Sequence, residues 1–530
     1  MKKILIADEI SISGIEYLKS QPEFELLVAL DSKPKEIIQQ VKDVTAIIVR
    51  SETKITAEVI TAAPQLVVIG RAGVGIDNID VETATQRGII VMNTPAGNTL
   101  ATAELTFTHM LCSARPITQA NSSMNEGKWE RQMYAGSELS KKVFGVIGVG
   151  RIGGEVVKRA QAFGMQIIAY DPYLTQERAL ALEVEQVDLD PLLKRADFIS
   201  IHVPLTDDTR HIIDAKALEK MKTGVRIINC ARGGLIHEKD LIDALKKGKV
   251  AAAGLDVFNE EPLSETSELR NTPNLVLTPH LGASTEEAQE SIGLEIAKAV
   301  TEVLCGGIIT NAINMPSIDG RTLKTLQPYL VLGEKLGTIL QQISPPQIEK
   351  LIVTYWGNIM DLDAMPLTRG IQRGYLLKIS GKGVNDVNAP SIMKHLGIEV
   401  EIIKSSSESG YTELIRIESI SAQGEKYNIE GTLIGTRQQP RVVHVNDRDV
   451  EVIPEGKLLL LENKDLPGIV GILGTILGKD GVNIANMSLS RNDIGGVAMT
   501  IFQLDSIPSQ KALDKLNVTE AVLNMNLVEL

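Results

Sequence analysis

The sequence predicts an α/β chain in which two doubly wound, parallel-sheet domains come first and two α+β domains follow. Three observations lead there. Short β-branched runs alternate with amphipathic stretches from residue 3 to about 305. A glycine turn at 148–153 appears only after about 100 residues of that texture. After Pro454 the order becomes strand, helix, strand, strand, helix, strand. At 530 residues the chain is too long for one core, and roughly 100 to 200 residues per domain gives three or four.

In order, the expected strands of the first part are Ile4 to Ala7, Ala46 to Val49, Leu66 to Ile69, Ile89 to Met92, Val143 to Ile147, Ile167 to Tyr170, Phe198 to Val203, Arg226 to Asn229, Ala252 to Phe258 and Leu275 to Thr278. The stretch from Thr99 to Ala114 is apolar at helical spacing and stops before Arg115-Pro116. Another, from Ser284 to Leu304, stops at Gly306-Gly307. Two long helices flanking the glycine turn serve as crossovers, so residues 1–98 and 285–316 are expected to form one discontinuous domain around a second, 99–284. Beyond Pro316 strand-like runs such as Leu351 to Tyr355 and Thr412 to Ile417 lie among polar turns, and no phosphate loop follows, which marks a third domain at 318–452. The last, 456–530, reads as strand Lys457 to Leu461, helix Ile469 to Leu477, strands Val482 to Ser490 and Val497 to Leu504, then a helix and a strand. That order is ferredoxin-like.

Composition removes several function classes. An apolar fraction of 43% and a charged fraction of 23% are those of a soluble globular chain. A net charge of -13 opposes non-specific nucleic-acid binding, and 3% aromatics leaves few platforms for base stacking. A phosphate ligand would therefore need a local basic pocket. The N-terminal apolar run is four residues long and ends at an acid, so it reads as a strand and not a signal peptide. No run of 18 apolar residues occurs, and Cys112, Cys230 and Cys305 lack metal-ligand spacing. The expectation is a reduced, cytoplasmic enzyme without a metal and without membrane or nucleic-acid partners.

Gly148-Val149-Gly150-Arg151-Ile152-Gly153 follows a strand and opens a helix that closes at Gly164, and the next strand delivers Asp171, 18 residues beyond Gly153. This is the dinucleotide-binding context of a Rossmann-like domain. Gly148 permits the tight turn, Gly150 lets backbone approach a pyrophosphate, and Gly153 lets helix and strand pack closely with the helix N-terminus facing the phosphates. Asp171 would accept from both ribose hydroxyls and repel a 2'-phosphate, which favours NAD over NADP.

Three polar residues lie at strand ends or in the loops that follow, where open α/β sheets hold their ligands. Arg232 follows Ile227 to Ala231 and precedes Gly233-Gly234. Glu261 stands in Asp256-Val257-Phe258-Asn259-Glu260-Glu261-Pro262, and His280 follows Leu275 to Pro279. Each alone is as well read as a surface arginine, a solvated loop acid or a structural histidine. Together beside a nicotinamide they make a catalytic set. Oxidising an alcohol needs a base for the hydroxyl proton, for which His280 is the candidate. A carboxylate at Glu261 would stabilise the imidazolium that forms, and Arg232 would clamp a substrate carboxylate.

Asn229-Cys230-Ala231-Arg232-Gly233-Gly234, the run 256–262 and Pro279-His280-Leu281-Gly282-Ala283-Ser284-Thr285 resemble the D-isomer-specific 2-hydroxyacid dehydrogenases. Val49 to Thr53 and Gly70 to Asn78 resemble the substrate-binding domain of that family's long branch, which acts on 3-phospho-D-glycerate. The resemblance implies Arg232, Glu261 and His280 as the catalytic residues, and NAD contacts at Val74, Val203, Cys230, Ala231, Arg232, Asp256 and the stretch His280, Leu281, Gly282 and Ala283. It also implies substrate contacts around Arg50, Ser51, Arg71 and Gly73. Arg50 and Arg71 both end strands, so they would face the cleft and neutralise a dianion. Lys128 and Arg131 add cations on a loop expected to reach the site, its own or that of a partner subunit in a homodimer or homotetramer. The leading expectation is NAD-dependent oxidation of 3-phospho-D-glycerate to 3-phosphooxypyruvate, the entry to serine synthesis. The alternatives are oxidation of another D-2-hydroxy acid (hydroxypyruvate, glyoxylate or 2-hydroxyglutarate), and an NAD sensor without chemistry.

The last 75 residues resemble an ACT domain, a module that binds amino acids, through Asn463-Lys464-Asp465-Leu466-Pro467-Gly468 and Gly481-Val482-Asn483-Ile484. Asp465 would hold an α-ammonium group and Asn483 would bond the ligand at the junction of a paired module, with Asn463 beside them. The resemblance implies L-serine as a feedback inhibitor; a dimerisation module without ligand is the other reading. Residues 384–390 and 431–435 resemble the intervening domain of the long branch, and no chemical site is assigned there.

Overall fold

A computed structural model describes every residue except Asp31, Asp319 and Asn492. Its first sheet is parallel throughout, with strands in the spatial order Phe24–Val28, Lys2–Ile6, Ala46–Val49, Val68–Arg71 and Ile90–Met92. The second, also parallel, runs Leu275–Leu277, Val250–Leu255, Val225–Asn229, Phe198–Ile201, Val143–Ile147, Gln166–Tyr170 and Glu185–Gln186. In each sheet the chain starts mid-sheet, winds to one edge and returns to the other side. That reversal leaves a crevice at the C-terminal ends of the strands. It lies beside Lys2–Ile6 in the first sheet and beside Val143–Ile147 in the second.

Helix Thr99–Ala114 carries the chain from one sheet to the other and buries Ala103, Phe107, Met110 and Ala114, spaced at three and four, against the second sheet. The return is helix Glu286–Cys305. It is capped by the Thr285 side chain on the Ala288 amide, has Glu286 and Glu287 in its first turn, and is stopped by Gly306 at φ +76°. Its buried Ile292, Ile296 and Val300 join Ile4, Ile6, Val68 and Met92 in the first sheet's core, and Ala312 then bridges to Met92. Two strands fall outside the sequence expectation, Phe24–Val28 and Glu185–Gln186. Both are edge strands, one half-exposed and the other two exposed polar residues, so neither carries a buried β-branched run.

The third sheet is mixed, in the order Glu399–Lys404, Ile348–Trp356, Leu414–Ser421, Lys426–Ile434, Gln439–Val445 and Arg448–Val452. Two helices that the sequence reading did not anticipate, Gly320–Ile343 and Met365–Ser380, pack against each other and supply its core. Their backbones meet closely. A β-carbon on Gly337 would fall 2.3 Å from the Ile371 carbonyl oxygen, and one on Gly374 would fall 2.0 Å from that of Glu334. The fourth sheet is antiparallel, Ile484–Arg491, Val497–Leu504, Lys457–Lys464 and Val522–Glu529, with helices Ile469–Lys479 and Gln510–Asn517. Side chains alternate across it: Leu459, Leu461 and Phe502 meet the helices, while Leu458, Leu460 and Ile501 join the core of the third sheet. No described helix is long and apolar enough to cross a membrane.

Candidate active site

The glycine turn sits at the crevice of the second sheet. Gly148 has φ +92°, and its amide donates to the Tyr170 carbonyl at 2.8 Å. A β-carbon there would lie 2.6 Å from the His202 carbonyl oxygen, and one on Gly153 would lie 2.2 Å from that of Gly148, so both positions exclude larger residues. Gly150 differs, because its missing β-carbon would point into open space with no described atom within 4 Å. Gly150 also caps helix Arg151–Ala162 without a side-chain bond, which leaves the first amides, from Arg151, Ile152 and Gly153, free for an anion. Asp171 accepts from the Val149 amide at 2.8 Å and the Tyr173 amide at 2.9 Å, and so holds the end of the next strand against the turn. The open face above Gly150 and the acid beside it fit a dinucleotide.

Beneath the turn, His202 is half-buried by surface, and its Nε2 lies 2.9 Å from Ser200 Oγ. Burial alone pulls it down to about 4. Val203 packs over Gly148. Cys230 is buried, and burial pushes its thiol well up from the ordinary value.

Arg232, Glu261 and His280 converge from three separate loops. Asn229 shapes the first, with its side chain donating to the Arg232 carbonyl at 2.8 Å and accepting from the Ala231 amide at 3.0 Å. Gly233 brings that loop onto the second, since a β-carbon there would fall 1.8 Å from the Phe258 carbonyl oxygen. Glu261 accepts the Phe258 amide at 3.0 Å and contacts His280 Nδ1 at 2.6 Å through its other oxygen. Burial raises the Glu261 carboxyl, but the bonds from His280 and the Phe258 amide outweigh it and hold the group below its ordinary value. His280 has φ +56°, an uncommon conformation for a residue with a β-carbon. The buried Asp256 carboxylate holds that turn through the Leu281 amide at 2.7 Å and the Gly282 amide at 2.9 Å. Ala283 follows, its carbonyl accepting from Gln289 at 2.6 Å.

The first sheet contributes the cations. Arg71 ends its strand and is largely buried, and burial together with the neighbouring Arg232 charge pulls it down to about 10. Its Nε has no hydrogen-bond partner among the described residues. The loop 73–77 lies between them: Gly73 packs on the Arg71 guanidinium, Gly75 on Arg232, and Asp77 approaches Arg232 Nε at 3.5 Å. Val74 accepts from Asn93 at 2.7 Å, and Gly73 donates to Thr94 at 2.8 Å. Arg50 is placed by Asp8, which accepts its amide at 2.6 Å and the Thr53 hydroxyl at 2.5 Å, while Asn78 donates to the Arg50 carbonyl at 2.8 Å. Ser51 is exposed in the same loop. Arg131 is exposed in a turn after helix Ile117–Asn125, and no contact among the described residues joins it to this cluster. Asp8 and Asp77 went unassigned in the sequence reading; an acid directly after the first strand was the available signal for Asp8.

In the fourth sheet Asn463 is fully buried. Its oxygen accepts from Thr500 at 2.7 Å and its nitrogen donates to the Lys464 carbonyl at 3.1 Å, so its amide is occupied within the fold. Asp465 pairs with Arg491 at 2.6 Å, and Asn483 donates to Asp505 at 2.7 Å. No group of three or more potential metal ligands occurs among the described residues.

The D-isomer specific 2-hydroxyacid dehydrogenase NAD-binding domain matches residues 107–282, and the D-3-phosphoglycerate dehydrogenase intervening domain matches 325–446. D-3-phosphoglycerate dehydrogenase of Methanocaldococcus jannaschii is 42% identical over 531 residues, covering 100% of both chains, and that of Bacillus subtilis is 35% identical over 530, again 100% of both. Among solved structures, D-lactate dehydrogenase from Aquifex aeolicus, complexed with NAD and lactic acid, is 28% identical with TM-score 0.54, covering 59% of this chain and 100% of that one. By full-length identity and by both domain matches, the chain belongs to the D-3-phosphoglycerate dehydrogenase family of D-isomer-specific 2-hydroxyacid dehydrogenases.

Proposed function

We propose that this chain is an NAD-dependent dehydrogenase that oxidises 3-phospho-D-glycerate to 3-phosphooxypyruvate, with Arg232, Glu261 and His280 as the catalytic residues. The observation that carries the reading is the 2.6 Å contact of His280 Nδ1 with Glu261, made beside Arg232, with Arg71 and Arg50 of the first sheet nearby. With Nδ1–H donated to the carboxylate, Nε2 carries the free lone pair and takes the proton of the C2 hydroxyl. Glu261 balances the imidazolium that results. Arg232 holds the substrate carboxylate and orients C2. Arg71 and Arg50 meet the phosphate dianion. Bound NAD supplies the acceptor for the hydride from C2. The residues that would hold it are the Gly148 to Gly153 turn, Asp171, Val203, the Cys230 to Arg232 loop, and Asp256 with the His280 to Ala283 turn, with Val74 approaching from the first sheet.

The test is NADH formation by the purified chain from 3-phospho-D-glycerate and, in parallel, from unphosphorylated D-2-hydroxy acids. Turnover of only the latter overturns the substrate and keeps the reaction class. The reading extends to the division of labour among segments, with 1–98 and 285–316 binding substrate, 99–284 binding NAD, and 318–452 and 456–530 regulating. The last segment, in ferredoxin-like order, is an ACT domain that binds L-serine as inhibitor through Asp465 and Asn483 in a homodimer or homotetramer in the cytoplasm. Millimolar serine without effect on turnover refutes the effector, and a monomer by light scattering refutes the assembly.

A further inference from the structure

Behind the active-site turn lies a chain of buried polar groups that the reaction as described does not use. His109, on the buried face of helix Thr99–Ala114, is 2% exposed. Its Nε2 lies 2.8 Å from Thr278 Oγ1, and Thr278 Oγ1 lies 2.6 Å from Asp256 Oδ1. The hydroxyl has a single proton, and a carboxylate can only accept, so Thr278 donates to Asp256 and its oxygen accepts from His109. That fixes the histidine as the neutral Nε2–H tautomer. The other ring nitrogen agrees. Nδ1 is buried, has no hydrogen-bond partner among the described residues, and faces Gly254, on which a β-carbon would fall 2.7 Å away. A proton on Nδ1 would find no acceptor, and burial lowers the affinity of the ring for one.

The far end of this chain is the turn that presents His280. Asp256 Oδ1 takes both the Thr278 hydroxyl and the Leu281 amide, and Oδ2 takes the Gly282 amide. Thr102, two helical turns before His109 on the same buried face, donates to the Gly282 carbonyl at 2.8 Å. The turn therefore holds His280 at φ +56° by bonds made to one carboxylate, and that carboxylate is oriented from behind by one hydroxyl.

We propose that His109 is a positioning residue for the dehydrogenation. Through Thr278 it locks the Asp256 carboxylate that suspends the His280 to Gly282 turn, and so sets the angle at which His280 meets Glu261 and the substrate hydroxyl. The proposal rests on His280 being the base. A buried N–H donor at one end fixes the direction of every bond in the sequence.

The experiment uses the full chain and two pairs of variants, His109→Leu with His109→Gln, and Thr278→Val with Thr278→Ser. The glutamine and serine keep the N–H and O–H of the chain, while the leucine and valine keep the volume without them. His109→Leu and Thr278→Val are each expected to lower kcat about tenfold, which is about 1.4 kcal/mol, with KM for the hydroxy acid unchanged because Arg232 is not on this chain. His109→Gln and Thr278→Ser are expected to stay within about threefold of wild type, and the Leu/Val double variant to lose no more than Thr278→Val alone. Wild-type kcat in His109→Leu overturns the proposal, as does a glutamine variant as poor as the leucine one, or additive losses. A purely structural role would move the melting temperature and leave the kcat difference between Leu and Gln at zero. If His109→Leu fails to fold, the Thr278 pair decides by the same criteria. His280→Ala in the same assay separates the two readings. Full turnover without His280 overturns the base itself, whereas an inactive His280→Ala beside a fully active His109→Leu overturns only the relay.

Discussion

Replacing Glu261 with Gln isolates the charge of the catalytic pair from its shape. The amide oxygen can still accept the Phe258 amide, now 3.0 Å away, but the negative charge 2.6 Å from His280 Nδ1 is gone. Two unit charges with centres about 4 Å apart attract by roughly 4 kcal/mol at the effective dielectric of about 20 that suits a protein surface. Side-chain exposures of 47% for His280 and 35% for Glu261 let water screen part of that. About 2 to 3 kcal/mol then remains to stabilise the imidazolium in the transition state, which is roughly 30- to 150-fold in kcat. A second effect acts in the same direction. The new amide N–H faces Nδ1 and favours the tautomer with its proton on Nε2, the nitrogen that has to accept the substrate proton. The assay is initial-rate NADH formation over a full substrate range, with NAD affinity measured separately by fluorescence titration. A kcat within threefold of wild type, or a loss confined to KM, refutes the assignment of Glu261 as the counter-charge.

Asp171→Ser removes the acceptor for the Val149 and Tyr173 amides and the charge that repels a 2'-phosphate. KM for NAD is expected to rise about tenfold or more and the preference for NAD over NADP to shrink; an unchanged preference contradicts the role. Arg71→Gln is expected to lower kcat/KM for the phosphorylated substrate far more than for an unphosphorylated hydroxy acid, and equal losses on both show that Arg71 does not read the phosphate. His202 supplies a pH test of stability. Its folded value of about 4 lies below the unfolded 6.5, so its contribution is complete above pH 6.5 and drains as pH falls toward 4, where the unfolded chain binds a proton that the folded one refuses. The loss amounts to roughly 3 kcal/mol. Urea midpoints followed across that window should fall less steeply for His202→Gln, and parallel curves remove His202 as the cause.

The parts of the site legible in the sequence are those whose constraint is local. A turn that needs φ +92° and tolerates no β-carbon writes itself as Gly148 and Gly153, and a crevice acid must end the following strand, which is Asp171. Helix Thr99–Ala114 was legible for the same reason, since its apolar period ends before Arg115-Pro116. What stayed hidden depends on distant partners. His109 meets Thr278 across 169 residues, and Asp8 meets Thr53 across 45, so nothing near either residue in sequence shows its role. Helices Gly320–Ile343 and Met365–Ser380 were hidden by their own packing, because the glycines that let their backbones touch are residues that read as turns. Asn463, a signature position, also serves the fold through its bonds to Thr500 and Lys464.

The cation cluster gives the substrate reading its physical content. In a chain of net charge -13, Arg71 stands partly buried near a second guanidinium, its Nε has no hydrogen-bond partner among the described residues, and burial first, then the Arg232 charge, pulls it down to about 10. Asp77 offers only a 3.5 Å contact, and it is made to Arg232. Such an arrangement is costly until a dianion arrives, and the cost is what creates selectivity. A ligand that lacks the phosphate leaves the same buried groups unpaired in its complex, and sites built around buried polar groups reject the analogue without the partner far more strongly than apolar pockets reject a missing methylene. Under the proposed reading a carboxylate clamp at Arg232 would serve every D-2-hydroxy acid alike, and discrimination among them would fall to the first sheet, to Arg71 and to the Arg50 loop that Asp8 and Asn78 hold in place.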